Sequence, residues 1–237
     1  MKNISIKISL ALLVPFFTIG CDNTNTKIDE KKTIEKKDEP LEKTPIEEIK
    51  IGNQIWATKN LSVTSFRNGD AITEVKNNSD WEKAGDNKQP AWCHYNNDPT
   101  NDAKYGKLYN WYAVNDPRGL APQGWHIPSD AEWTSLINNL GGEDLSGIQM
   151  KSEDGWKEGG AMLGGGNNSS GFSGVPGGTR FYDGTFEDIG AKGFFWSSSR
   201  NESPNGAWYR LLSYDLVQTP RRSTNQLEGL SVRCLKD

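Results

Sequence analysis

Histidine and cysteine are scarce: the 237-residue chain holds two of the first, His94 and His126, and three of the second, Cys21, Cys93 and Cys234. Two histidines cannot build a three-histidine zinc centre within one copy. There is no Gly-x-Ser-x-Gly elbow, and glycines 164–166 are not followed by the Lys-Ser/Thr of a phosphate cradle. No cluster of Lys and Arg interleaves with aromatics, and residues 51–237 carry 18 basic against 22 acidic side chains, which excludes nucleic acid as a partner. Long apolar runs are missing as well, apart from one at the N-terminus.

That run, Ile8 to Ile19, follows Lys2 and Lys7 and ends in Gly20-Cys21. It is too short to cross a bilayer as a permanent helix, and residues 1–20 read as a removable signal peptide. Thr18-Ile19-Gly20-Cys21 resembles a bacterial lipobox, with Thr18 where the usual pattern has Leu. The resemblance implies that Cys21 carries lipid and anchors the chain in the bacterial cell envelope, at an outer membrane, facing the periplasm or the cell surface. Residues 21–50 then form a charged tether. They hold nine acidic and seven basic side chains, no aromatic residue, and Pro40 and Pro45, too little apolar surface to offset the entropy of ordering.

Residues 51–237 differ in character, with all nine Trp and most of the glycine. Pro128-Ser129 followed by Glu132 has the spacing of a capping box, and Trp133, Leu136, Ile137 and Leu140 recur at helical spacing before Gly141-Gly142. A second short helix is expected over residues 145–151. Residues 193–196, 207–212 and 230–234 read as strands, short, aromatic or branched, and bounded by turn residues. Leu230, Val232 and Cys234 would share one face. Residues 164–171 form a polar Gly/Asn-rich loop. The class is α+β. In an oxidising compartment Cys93 and Cys234 are expected to pair, closing a loop worth about 4 kcal/mol in the chain-entropy model; two buried free thiols are the alternative.

Five segments carry a resemblance: Tyr105 to Trp111, Gly124 to Trp133, Gly171 to Gly178, Phe195 to Ser198, and Ser231 to Cys234. In this order they resemble the Fibrobacter succinogenes major paralogous domain, a family of secreted or lipid-anchored bacterial proteins without an assigned activity. The stretches 125–133 and 232–234 are also similar to the formylglycine-generating-enzyme domain. This implies a single C-type-lectin-like domain of short antiparallel strands, one or two helices and long irregular loops. The reactive cysteine pair of that relative has no counterpart, so no oxidase chemistry carries over.

The resemblance points to a noncatalytic binding module for glycan or protein, with a structural component of a surface assembly as the alternative. A hydrolase built on two carboxylates has no positive support. Trp111, Trp125 and Trp133 read as core, whereas Trp81, Trp92, Trp156 and Trp208 are freer to serve a surface platform, although packing is the first reading of each taken singly. Trp156, Asn167, Asn168 and Trp208 are the ligand-binding candidates. No catalytic residue and no cofactor are expected. Calcium stays open because Asn167, Asn168, Asp183, Glu187 and Asp188 offer hard oxygen ligands, although their spacing matches no calcium loop and turn capping is the first explanation for them.

Overall fold

A computed structural model describes residues 45–158 and 165–237. The signal peptide, Cys21 and most of the tether lie outside the described residues. In chain order the strands are β1 (Glu48–Ile51), β2 (Gln54–Ala57), β3 (Thr73–Glu74), β4 (Ala91–Cys93), β5 (Leu108–Tyr109), β6 (Trp125–His126), β7 (Gly177–Arg180), β8 (Phe186–Ile189), β9 (Lys192–Arg200), β10 (Gly206–Ser213), β11 (Arg221–Asn225) and β12 (Leu235–Lys236). The helices are α1 (Asn78–Asp86), α2 (Asp102–Tyr105), α3 (Trp111–Val114), α4 (Asp130–Asn139) and α5 (Glu143–Met150). The class is α+β, with three sheets among the described residues, ordered β1-β2-β12-β6, β11-β10-β9-β7-β8 and β3-β4-β5. Most pairs are antiparallel, but β3–β4 and β7–β9 run parallel. Because β1 begins at Glu48, the last residues assigned to the tether belong to a sheet.

The α4 helix forms where its sequence predicts. Ser129 Oγ accepts from the Glu132 amide, the Glu132 carboxylate accepts from the Ser129 amide, and Trp133, Leu136 and Ile137 are buried. The second expected helix is α5. The 3.6-residue periodicity did not announce α1, which turns only Trp81, Ala84 and Gly85 inward, nor the single-turn helices α2 and α3.

Strand β9 organises the core. Phe194 and Trp196 face one apolar cluster while Phe195 between them faces another, as alternation across a pleat requires. Both faces are covered, which is why Gly-Phe-Phe-Trp reads as a continuous apolar run. The first cluster gathers Trp92, Trp111, Trp125 and Trp196, the second Trp56, Trp133, Phe172 and Phe195, and the third Val75, Trp81, Cys93 and Tyr95. Residues 230–234 correct the expected strand: they form no continuous strand and are held at two positions by isolated bridges, Tyr109 to Leu230 and Phe195 to Ser231. Leu230, Val232 and Cys234 nevertheless all pack in the first cluster.

The expected Cys93–Cys234 disulfide is not formed. Both thiols are free and buried, Cys93 in the third cluster and Cys234 in the first, and burial pushes each up to about 12.

Arginines staple the loops onto this core. Arg233, wholly buried, donates to the carbonyls of Ala57, Phe172 and Ser173 and to Asn60 Oδ1, with its guanidinium 4.3 Å from the Phe172 ring centre. Burial lowers it to about 9, which still leaves it charged at neutral pH. Arg180 donates to the carbonyls of Gly184, Val75 and Lys76 and to Asn78 Oδ1, sandwiched by Trp81 and Phe186. A planar fork with five donors suits loop carbonyls arriving from several directions.

Candidate functional site

The residues singled out in the sequence do not converge. Trp156 packs in the second cluster, its indole N–H on Ser152 Oγ at 3.1 Å. Trp81 and Trp92 are buried as well. Trp208 is half-buried, but the Arg221 guanidinium lies 3.5 Å from its ring centre and is held there by Asp130 at 2.8 Å, so a sugar stacking on that face would have to displace it. Asn167 accepts from the Ser169 amide, and Asn168 exchanges hydrogen bonds with the Ser173 amide and hydroxyl. Asp183 caps the turn at Thr185, and Asp188 pairs with Lys192. Each of these oxygens serves the backbone or a neighbouring charge, and no group of three or more His, Cys, Asp or Glu among the described residues could hold a metal. The binding expectation on Trp156 is therefore corrected, while Trp81 and Trp92 take the packing role that each singly favoured: a tryptophan's identity does not tell whether its ring faces out.

One concave surface lies between β3 and α1, where a groove of about 520 Å³ opens. Asp80, Lys83 and Ala84 of α1 and Asn87 at its C-cap line it at helical spacing i, i+3, i+4 and i+7, one face of the helix. Asn77 caps α1 by accepting from the Asp80 amide at 2.8 Å, and its amide donates to Asp80 Oδ2, which holds the Asp80 carboxyl below its ordinary range. Glu74 of β3 and Gln89 complete the polar wall. Buried Asn110 fixes that edge, donating to the Gln89 carbonyl and accepting from the Ala91 amide. Behind the groove, Arg180 holds the carbonyls of Val75 and Lys76. It also ties in the β7–β8 turn, where Gly184 sits so close to Asn78 that a Cβ there would lie 2.5 Å from the Asn78 Cα. That turn carries Tyr182, one of two large apolar side chains standing well exposed among the described residues.

A charged hub adjoins the groove at Glu74. Asp102 accepts from Ser62 Oγ at 2.8 Å and from Lys107 Nζ through one oxygen, and meets His94 Nδ1 at 2.8 Å through the other; His94 Nε2 lies 3.7 Å from Glu74. Lys107 Nζ also donates to Ser62 Oγ at 2.9 Å. Serine, lysine, histidine and aspartate together resemble a nucleophile with its base, but the connectivity is wrong for that chemistry. His94 reaches Asp102 and not Ser62, and the Ser62 hydroxyl is directed at the Asp102 carboxylate, so no histidine stands on the serine as a triad requires. The hub ties β3, α2 and the Ser62 loop together. Near the other chain end, His126 sits between Asp237 at 2.8 Å and Glu132 at 3.0 Å.

Sequence reasoning missed both groove and hub. Their residues lie far apart in sequence and carry no motif; the one available signal was the Asn77-to-Asp80 cap ahead of a short helix. No curated protein and no solved structure matches the chain. The Fibrobacter succinogenes major domain matches residues 49–236, nearly all of the described fold, and the chain belongs to that family.

Proposed function

We propose that this chain is a noncatalytic, lipid-anchored module of the bacterial cell envelope that binds a glycan by its hydroxyls in the β3–α1 groove. The observation that carries the reading is the polar lining itself: Glu74, Asn77, Asp80, Asn87 and Gln89, with Lys76 and Lys83 among them, border an open groove of about 520 Å³. Such groups are the donors and acceptors that sugar hydroxyls need, and Tyr182 on the adjoining turn offers a ring. The lectin-like variant of the α+β fold, implied by residues 125–133, belongs to the same proposal. A surface-assembly role is less well supported, because Leu145 and Tyr182 are the two large apolar side chains that stand well exposed among the described residues. The lipid on Cys21 and the envelope location rest on the leader sequence.

A glycan-array screen of the full chain, run with calcium and again with chelator, tests the ligand. Bound glycan is expected to be lost about tenfold on Asn87→Ala and to persist on Trp208→Ala. A folded sample that binds no glycan in either condition turns the assignment toward protein partners. Fractionation in the same cells tests the anchor: Cys21→Ser should leave the membrane fraction, and a variant that stays there refutes lipidation at this residue.

A further inference from the structure

Where the described chain begins, a trough of about 660 Å³ runs along Ile46, Ala57, Leu61, Val63 and Pro122. It shares no lining residue with the β3–α1 groove. Its volume falls within the about 300–1,000 Å³ usual for small-ligand sites. It adjoins a second hollow of about 220 Å³, lined by Lys104, Ser173 and Arg233, with which it shares Glu47, Lys59 and Asn60.

The two halves differ in chemistry. The trough is walled mainly by apolar side chains. The hollow is cationic: Glu47, its one carboxylate, is already paired with Lys59 at 2.9 Å. Lys104 pairs with no carboxylate among the described residues, and neither does Arg233, whose five donors are spent on carbonyl and amide oxygens. An apolar channel that ends at uncompensated positive charge is complementary to an amphiphile with one anionic head.

We propose that this trough binds a long-chain fatty acid, the acyl chain lying along Ile46, Leu61, Val63 and Pro122 and the carboxylate at the Lys104 end. The ion pair between Glu47 and Lys59 limits the attraction, so the two ends of the charge balance make opposite predictions. Palmitate titrated calorimetrically into the full chain should bind one to one. Affinity should rise from laurate to myristate to palmitate as more methylenes are buried. Lys104→Glu should weaken palmitate about tenfold, while Glu47→Gln, which frees Lys59, should tighten it. Both side chains are exposed, and unchanged urea midpoints will show that the fold is intact. Val63→Glu, in the apolar wall, should abolish binding. Hexadecanol binding as tightly as palmitate would show an apolar occupant without an anionic head and overturn the proposal. So would palmitate affinity indifferent to Lys104→Glu and Glu47→Gln, or no palmitate binding by folded protein.

Discussion

The Asp102 carboxylate shows what single residues contribute to this fold. Burial raises its pKa, but hydrogen bonds from Lys107, Ser62 and His94 outweigh burial and hold it below its ordinary 3.8. A depressed folded value means that the group stabilises the fold above the unfolded value and loses that contribution as pH falls through the folded one. Acidification below pH 3.8 should therefore lower the urea midpoint of the native chain more than that of Asp102→Asn. At neutral pH that variant should already be less stable by about 3 kcal/mol, because the Lys107 ammonium stays buried without its partner. Equal acid sensitivity of the two proteins would remove Asp102 from this role. The thiols run the other way. Burial lifts Cys93 and Cys234 to about 12, so the thiol form is favoured in the fold, and their stabilisation is lost as pH climbs from 9 toward that value. Neither should react with a disulfide reagent at neutral pH until the chain is unfolded, and reductant should leave the unfolding midpoint where it is. A midpoint that drops on reduction would restore the disulfide that compartment and pairing arithmetic had favoured. Trp156 and Trp208 teach the same lesson about legibility: residue type and compartment narrowed their roles, but packing partners such as Ser152 and Arg221 decided them.

Elements were legible in proportion to their local signals. The α4 helix carries its start, its face and its stop in consecutive residues, and β9 and β10 announce themselves through aromatic runs, so all three fall where expected. Helix α1 carries only a cap, and the groove it lines was invisible until β3 was laid beside β4. Strand β7 hides its constraint in a glycine. Gly178 sits at φ +68°, and a Cβ there would lie 2.5 Å from the Glu187 carbonyl of β8 and 2.6 Å from the Tyr95 ring. Gly178→Ala thus suffers an unfavourable backbone and a clash with the paired strand, and should cost more than about 2 kcal/mol. Ser129→Ala, which removes one side of the α4 capping box, should cost about 1 kcal/mol. Urea unfolding of the two variants checks the order; a capping loss larger than the glycine loss would mean that β7 can relax away from β8.

At the scale of the whole molecule, the sheet β1-β2-β12-β6 is what joins the start of the fold to its end. Strands β2 and β6 do not pair with each other; β12, two residues long, bridges them through Leu235, which faces Trp56 on one side and His126 on the other. Around it, Lys236 pairs with Glu48 at 2.6 Å and Asp237 with His126 at 2.8 Å, while Leu235 packs in the second cluster. The surface pairs contribute little in water, but Leu235 and its ladder bonds hold the β1–β2 hairpin and the otherwise unpaired strand β6 in register. No periodicity could reveal this, because the three partners stand near residues 56, 126 and 235. Contacts of such separation carry a loop-closure cost that is repaid only when the sheet is complete. Deleting residues 235–237 should therefore destabilise far more than three residues would at a free end. Loss of the buried leucine alone accounts for about 2–5 kcal/mol, and separation of β2 from β6 adds to it. Equilibrium unfolding of the shortened chain, followed by tryptophan fluorescence, should show a lower midpoint and a broadened transition as the β1–β2 hairpin comes loose first. A single transition at the original midpoint would mean that the helices and the five-stranded sheet hold the ends together without β12.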